Sequence, residues 1–282
     1  MFQISIHNKT LIFDRPALMG ILNVTPDSFS DGGRFNQMDK ALQHCEQMIA
    51  DGADFIDIGG CSTRPYNAIA TENEEMERVI PILKAVRKTF PETLVSIDTF
   101  RKNVAEACIN EGADLINDIS GGLFDKEMLP YIGKNHIPYV MMHCVGTPET
   151  MHQYALSGDI HQTVLDFFKQ QCEVLEAFGE QQIILDPGIG FGKSLEANYQ
   201  LLSDLSRYRY NNFPILFGIS RKSLINKVLH TTPDTAENGT TVLNTIALLN
   251  GADILRVHDV KNAREAIELV GSFRNFAAKL ES

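Results

Sequence analysis

Polar side chains follow short apolar segments at intervals along the chain, and their types suit a small polar ligand. Asp98, Asn117 and Asp186 each end such a segment. Two carboxylates and a carboxamide placed together would accept hydrogen bonds from a ligand rich in N–H donors, such as an amino-substituted heterocycle. Lys222 follows a later apolar segment and could pair with these carboxylates or donate to a ring carbonyl.

A second group of polar residues suits an anion. It contains an amide, two arginines and a histidine, at Asn23, Arg64, Arg256 and His258. Guanidinium groups donate paired hydrogen bonds to phosphate oxygens, so this group predicts a phosphate site. The sequence contains no Ser/His/Asp or Cys/His arrangement typical of a nucleophile, so covalent catalysis is not indicated.

The apolar segments that precede these residues predict eight β-strands. They lie near residues 17–23, 54–58, 93–97, 114–117, 137–142, 182–185, 214–218 and 253–257. Near-continuous apolar runs are typical of parallel strands buried on both faces. Segments of helical character separate them, and a capping box, Thr71 with Glu74, opens one of these helices. The repeated pattern predicts a (β/α)8 TIM barrel, an α/β fold whose chemistry lies at the carboxyl ends of the strands.

A doubly wound open sheet is the alternative fold. It would concentrate its polar residues near one switch point, whereas here nearly every strand ends in one. Alternation at Phe2, Ile4 and Ile6, with a turn at Asn8 and Lys9, predicts a short N-terminal β-hairpin. No linker or shift in composition divides the 282 residues, so we expect one domain spanning residues 1–282. Strands one, two and eight adjoin when the barrel closes, which would assemble the anion group.

Composition limits the partners and the compartment. A net charge of −11 without a basic block argues against nucleic acid and against an anionic membrane surface. No apolar stretch reaches the roughly 18 residues of a membrane helix, and the N-terminus has no signal pattern. The five cysteines form no C-x-x-C pair, which favours reduced thiols and a cytoplasmic protein.

A glycine-rich segment, residues 186–194, resembles a phosphate loop but fails both nucleotide templates. Pro187 stands where a P-loop needs glycine, and Lys193 stands where the dinucleotide motif needs glycine or alanine. The segment is therefore either a turn that leads into a helix or a loop that closely approaches a ligand.

Other polar residues have plain structural interpretations. We expect Asp57 to bond only to backbone inside the barrel, and the acidic run 72–77 to be a solvated helix face. His143, His152 and His161 match no metal-ligand spacing, so we place them in loops or on helix surfaces.

Together these residues resemble the dihydropteroate synthases, a family of pterin-binding enzymes of the folate pathway. The resemblance covers nearly the whole chain in family order. The matching strings are MGILNVTPDSFSDGG (19–33), GG (59–60), STRP (62–65), VSIDT (95–99), IND (116–118), MH (142–143), GTP (146–148), LDPGIGFGK (185–193), GISRKS (218–223) and RVHDV (256–260).

The resemblance implies a TIM barrel that joins p-aminobenzoate to 6-hydroxymethyl-7,8-dihydropterin diphosphate through a dissociative, cation-like transition state. The products would be 7,8-dihydropteroate and pyrophosphate. The positions that match the family's motifs would hold the pterin at Asp98, Asn117, Asp186 and Lys222. They would hold the diphosphate at Asn23, Arg64, Arg256 and His258, with Mg²⁺ near Asn23. They would hold p-aminobenzoate at Thr63, Pro65, Phe191, Lys222 and Ser223.

The same resemblance assigns catalysis to five residues and implies further properties. The five are Asp98, Asp186, Lys222, Arg256 and His258. A loop at residues 25–33, with Asp27 and Asp31, would close over the reactants. Family members are typically homodimers and targets of sulfonamides. Two departures, Cys61 for glutamate and Tyr66 for glycine, flank the amine pocket and leave its shape and sulfonamide response open.

Two other functions compete with this interpretation. A methyltetrahydrofolate-dependent methyltransferase uses a related barrel and needs a corrinoid partner, but the loop at 25–33 and the pair Lys222 and Ser223 argue against it. A pterin-binding protein without activity could lose Lys222, Arg256 or His258, and all three are present. Turnover with magnesium separates an enzyme from such a protein.

Overall fold

An antiparallel hairpin precedes the main sheet. The computed structural model describes residues 2–6, 9–25, 34–62 and 69–279. Within them, β1 (Phe2–Ile6) pairs with β2 (Lys9–Phe13), and Phe2 lies opposite Phe13. The alternation of apolar residues places Ile4 and Ile6 on one buried face. The predicted hairpin is thus confirmed, and Asn8 of its turn lies outside the described residues.

Eight parallel strands form the main sheet. They are β3 (Ala17–Asn23), β4 (Phe55–Gly59), β5 (Leu94–Asp98), β6 (Leu115–Asp118), β7 (Tyr139–Met142), β8 (Ile183–Asp186), β9 (Leu216–Phe217) and β10 (Ile254–Val257). Their order is β8-β7-β6-β5-β4-β3-β10-β9. A parallel bridge between Leu185 of β8 and Ile215, the residue before β9, closes the ring. The TIM barrel is confirmed, and β4, β3 and β10 adjoin as predicted.

Alternate strand residues face opposite sides of the sheet, so one set fills the barrel and the other packs on the helices. An apolar layer fills the amino end of the barrel, against Ile4 and Ile6 of the hairpin. Its members include Met19, Phe55, Leu115, Val140, Ile184, Leu216 and Ile254. Two residues further along four of these strands stand Asp57, Asn117, Asp186 and Arg256. A polar layer therefore lies directly above the apolar one, toward the carboxyl ends of the strands.

Helices follow the strands and surround the barrel. They are α1 (Arg34–Ala50), α2 (Glu72–Thr89), α3 (Lys102–Asn110), α4 (Met128–Asn135), α5 (Ile160–Glu176), α6 (Leu195–Ser203), α7 (Ser223–Leu229), α8 (Glu237–Leu249) and α9 (Val260–Ala278). The predicted capping box of α2 is present between Thr71 and Glu74. In the described part of the chain, no helix combines the length and apolar character that a membrane crossing needs.

Candidate active site at the barrel mouth

A hydrogen-bonded network occupies the centre of the polar layer. The Nε of Arg256 donates to Oδ2 of Asp57 at 2.6 Å, and its Nη2 donates to Oδ2 of Asp98 at 2.6 Å. The Nδ2 of Asn117 donates to the same Asp57 oxygen at 2.9 Å. The expectation that Asp57 bonds only to backbone is wrong, because β10 and β6, each one strand removed from β4, direct a guanidinium and an amide to its carboxylate. Arg256, which we predicted in the anion group, is thereby bonded to Asp98, which we predicted in the heterocycle group.

Opposing effects set the charge of this network. Burial raises the pKa of Asp98 to about 7, the Arg256 guanidinium opposes that rise, and the Asp57 carboxylate adds to it. Burial lowers the pKa of Arg256, but Asp57 and Asp98 outweigh burial and raise it, so the guanidinium stays charged. The network therefore combines a permanent cation with a carboxylate that titrates near neutral pH.

Asp186 and Lys222 form a second part of the mouth. The buried Asp186 accepts from the Gly188 amide at 2.7 Å. The Nζ of Lys222 donates to the Ile189 carbonyl at 2.7 Å and lies 4.7 Å from the Phe191 ring centroid. Burial lowers the pKa of Lys222 to about 8, although Asp186 opposes this. The ammonium and the ring thus face the same space above β8.

The segment after β9 is fixed against β10. The Oγ of Ser220 lies 3.0 Å from Nδ1 of His258, and Arg221 pairs with Asp259 through Nη2 at 2.6 Å. Arg221 has a φ of +57°, which a right-handed helix does not allow. Arg221 therefore stands before α7, which begins at the exposed Ser223.

Asn23 ends β3 with its side chain half-buried, between the ends of β4 and β10. The other predicted site residues of this side lie outside the described residues: Asp27, Asp31, Thr63, Arg64, Pro65 and Tyr66. Among described residues, no cluster of three or more His, Cys, Asp or Glu could hold a metal ion. Asn23 offers one hard oxygen ligand, which suits Mg²⁺ only where a ligand's own oxygens complete the site.

The glycine-rich loop after β8 is built around a buried lysine that sequence reasoning missed. The Nζ of Lys193 donates to the carbonyls of His143 at 3.0 Å, Gly188 at 2.7 Å and Phe191 at 3.3 Å. Gly188 has a φ of +68°, and a Cβ there would lie 1.9 Å from the His143 carbonyl oxygen. The glycine is needed for contact within the protein, and the loop is more than a flexible turn.

Three polar residues that we placed in loops or on helix surfaces are buried. His143 packs edge-on against Phe167, and His161 stacks on Tyr208. Burial lowers the pKa of His143 to about 3, so this ring is neutral. Glu75, within the acidic run, is also buried and pairs with Arg101. Helix α2 turns Glu75 inward and helix α5 turns His161 inward, whereas His143, in the loop after β7, is covered by Phe167 of α5. The side chain of His152 lies outside the described residues.

Cys61 follows β4 at the edge of the mouth and is half-buried. Burial and the nearby Glu75 carboxylate raise the pKa of its thiol. A thiol with a raised pKa is protonated at neutral pH and is a poor nucleophile. Cys61 therefore contributes volume to the mouth without contributing a reactive sulfur.

Comparisons with known proteins agree with this geometry. The sequence profile of the family described as "Pterin binding enzyme" matches residues 19–258. A dihydropteroate synthase from Synechocystis sp. is 45% identical over 251 residues, which are 88% of this chain and 86% of that protein.

Two solved structures extend the comparison to the fold. The Yersinia pestis dihydropteroate synthase with a sulfonamide drug gives a TM-score of 0.90 at 40% identity, covering 97% of this chain and 100% of that one. The Burkholderia cenocepacia dihydropteroate synthase complexed with 7,8-dihydropteroate gives 0.87 at 35% identity, covering 98% of each chain.

Proposed function

The chain belongs to the pterin-binding enzyme family, and from that premise we propose that its barrel mouth is the active site of a dihydropteroate synthase. The enzyme condenses p-aminobenzoate with 6-hydroxymethyl-7,8-dihydropterin diphosphate to give 7,8-dihydropteroate and pyrophosphate. The observation that carries the proposal is the pairing of Arg256 with Asp98. It places a phosphate-binding cation beside a carboxylate suited to a pterin.

The pterin is bound by Asp98, Asn117, Asp186 and Lys222 in this proposal. A pterin presents several N–H donors on one edge and a carbonyl oxygen beside them. The carboxylates and the amide oxygen accept from the donors, and the Lys222 ammonium donates to the carbonyl. Asn117 and Asp186 are buried, so these hydrogen bonds form where water competes little.

The diphosphate lies on the side of Asn23, Arg64, Arg256 and His258. The Nη2 of Arg256 is held by Asp98 at 2.6 Å in the structure, and phosphate oxygens can accept the same charge-assisted bond. His258 stands two residues after Arg256 beside Ser220. Charge that develops on the departing pyrophosphate is stabilised by these donors in this proposal.

Magnesium is proposed on the same side, with Asn23 as its protein ligand. Mg²⁺ commonly binds one or two protein oxygens together with substrate phosphates, which fits a single amide at the end of β3. When bound, the ion supplies additional positive charge to the phosphate oxygens. Asn23 then orients the diphosphate toward Arg256 and His258.

The amine is held at the rim of the mouth, by Phe191, Lys222 and Ser223 among described residues and by Thr63 and Pro65 outside them. The Lys222 ammonium lies over the Phe191 ring. The ammonium can pair with the carboxylate of p-aminobenzoate, and the Phe191 ring can pack against its aromatic ring. Cys61 in place of the family's glutamate alters the wall behind this rim. We propose a sulfonamide-sensitive site, since the Yersinia relative was solved with such a drug.

The reaction needs no protein nucleophile because the substrate amine is one. The bond from the pterin methylene carbon to the diphosphate oxygen breaks, and its electron pair leaves with pyrophosphate. The amine nitrogen then bonds to that carbon and loses a proton. Asp98 and Asp186 stabilise the positive charge that spreads over the pterin ring between these events, and closure of the mouth keeps water away from it.

A homodimer completes the proposal. Helices α8 and α9 expose apolar side chains at helical spacing on neighbouring outer surfaces: Val242, Ile246 and Leu249 on α8, and Leu269, Phe273 and Phe276 on α9. Contiguous apolar patches are uncommon on monomers and are typical of subunit interfaces. We name this surface the α8–α9 face and propose that a second copy of the chain covers it.

Pyrophosphate release tests the function. The purified chain receives the dihydropterin diphosphate and Mg²⁺, with and without p-aminobenzoate, and both pyrophosphate and dihydropteroate are quantified. We expect release that depends on the amine and equals the dihydropteroate formed. Tight pterin binding without amine-dependent release would instead indicate a binding protein, and methyl transfer to a corrinoid protein would indicate the methyltransferase.

A further inference from the structure

Asp57 is a fully buried carboxylate in the middle of β4. Its neighbours across the sheet are Ile21 of β3 and Ser96 of β5. The Asp57 side chain has no exposed surface, whereas that of Asp98, the other partner of Arg256, is 21% exposed. Both carboxylates bond the same guanidinium, but a ligand in the mouth can reach only one of them.

One oxygen of Asp57 accepts two hydrogen bonds, from Nδ2 of Asn117 and from Nε of Arg256. Its other oxygen is buried and has no hydrogen-bond partner among the described residues. Because Asn117 donates through Nδ2, its Oδ1 is left as the acceptor for a ligand's N–H. Asp57 therefore sets the orientation of an amide in the predicted pterin group.

The Oδ2 of Asp57 also accepts from Nε of Arg256 and so fixes the inner end of the guanidinium. The Nε bond to Asp57 is shielded from solvent, while the Nη2 bond to Asp98 lies at the exposed side. An incoming pterin needs the Asp98 oxygen, and an incoming diphosphate needs the Nη2 donor. Both ligands replace the Arg256–Asp98 bond, and neither replaces the bond to Asp57.

We propose that Asp57 is a positioning residue that couples the two halves of the substrate site, by fixing Asn117 for the pterin and Arg256 for the diphosphate through one oxygen. The inference rests on the proposed function for the identity of the two ligands. It assigns Asp57 no contact with substrate. A change of Asp57 should therefore weaken binding of both the pterin and the diphosphate. A change of Asn117 should weaken binding of the pterin alone, and a change of Arg256 binding of the diphosphate alone.

Two substitutions separate the hydrogen bonds of Asp57 from its charge. Asp57→Ala removes both bonds, and Asp57→Asn retains an oxygen that accepts both. The matched control is Ser96→Ala, because Ser96 lies beside Asp57 at the same depth and its Oγ has no partner in the described part of the chain. Calorimetry measures binding of 6-hydroxymethyl-7,8-dihydropterin and, separately, of inorganic pyrophosphate with Mg²⁺. Thermal unfolding verifies that each variant is folded.

We expect Asp57→Ala to weaken binding of both probes about tenfold or more, and Asp57→Asn and Ser96→Ala to bind both within about threefold of wild type. Asp57→Asn should also move the acid limb of kcat/KM to lower pH. Asp98 is faced by Arg256, Asp57, Glu75 and Asp118, and this variant removes one of three negative neighbours. That shift is measurable even where Asp57→Ala does not fold.

Three results would overturn the inference: an Asp57→Ala variant that binds either probe as wild type does, equal losses in Ser96→Ala, or an unmoved acid limb in Asp57→Asn. Failure of the proposed function looks different. A wild-type protein that binds both probes without amine-dependent pyrophosphate release contradicts the synthase, and a joint loss in Asp57→Ala would still support the coupling.

Discussion

Asp98 and Asp57 are both carboxylates, but their different exposure gives them different proposed roles. Both carboxylates bond Arg256 at 2.6 Å, but only Asp98 has exposed surface. The exposed carboxylate can exchange the guanidinium for a ligand. Its pKa of about 7 lies near the working pH, as is common for groups that act on substrate.

Asp98→Asn tests the cation-stabilising role. Since the pKa of Asp98 is about 7, the carboxylate is charged above that pH and loses its charge as the pH falls. We therefore expect wild-type kcat/KM to fall on the acid side of pH 7. The variant should lose about a hundredfold in kcat with little loss of pterin affinity, and its profile should lack that acid limb.

The matched control for this prediction is Asp54→Asn. Asp54 also pairs with an arginine, Arg15, and its side chain is 17% exposed, but it precedes β4 at the amino end of the barrel. Its kcat should stay at the wild-type value. If Asp98→Asn loses binding and rate equally, the carboxylate acts on the ground state and the cation role is wrong.

At the scale of elements, the loop after β8 positions three parts of the site. It carries the carbonyl that accepts from Lys222, the Phe191 ring, and the amide that bonds Asp186. Lys193 ties the loop to the end of β7 through the His143 carbonyl. Burial lowers the pKa of Lys193 to about 7, so holding the loop with an ammonium costs stability that the carbonyl bonds offset.

Gly188→Ala should disrupt this loop, and Gly158→Ala is its matched control. Both glycines have positive φ, +68° and +95°, so alanine costs each about 1–2 kcal/mol in the left-handed region. Only at Gly188 does the added Cβ meet a neighbour, the His143 carbonyl, because Gly158 has open space. Urea unfolding should show a loss at least about 2 kcal/mol larger for Gly188→Ala. Equal losses would mean that the close contact does not stabilise the loop.

Much of the architecture was predictable because its signals are local. Apolar runs predicted the strands, and the alternation at Phe2, Ile4 and Ile6 predicted the hairpin. The Thr71–Glu74 spacing predicted the start of a helix. The strand expected near 214–218 is reduced to two residues. Pro214 has no N–H to pair, and the Ile215 N–H donates to the Asp253 carboxylate instead of to a strand. Nothing in the local sequence indicates the positive φ of Arg221, which keeps this residue out of α7.

The site was predictable where it follows from topology, since parallel strands bring Asp98, Asn117 and Asp186 to one end of the barrel. The partners of those side chains were not predictable. Asp57 lies 199 positions from Arg256 in sequence, and no local sequence pattern predicts that the two pair. Lys193 was missed for the same reason, because a lysine after glycines gives no sign that it is buried.

At the scale of the whole molecule, the α8–α9 face lies on the outside of the barrel, away from the polar layer. The three residues on α9 are the most exposed of its apolar side chains, at 72% for Leu269, 63% for Phe273 and 66% for Phe276. Helical spacing aligns them along one stripe. A subunit interface there would leave the mouth open to substrate.

Phe273→Asp combined with Leu269→Asp should convert the proposed dimer to a monomer. Two charges in the middle of an apolar interface cost more than typical association gains can offset. Light scattering after size-exclusion chromatography measures the mass. Val174→Asp is the control, because Val174 is exposed to 45% on α5, outside this face. A double variant that keeps the wild-type mass would place the interface elsewhere, and a monomeric wild type would refute the dimer.

The apolar layer and the hairpin beneath it close the amino end of the barrel, which is therefore a cup open only at the mouth. Ile4, Ile6 and Phe55 fill its floor among the described residues, so reactants and products are expected to cross the opposite rim. Asn117 and Asp186, two of the side chains proposed for the pterin, are buried inside the cup, and the exposed Ser223 stands at its edge. In the proposed site the smaller reactant would therefore lie above the larger one, so the shape of the barrel would set the order in which they bind.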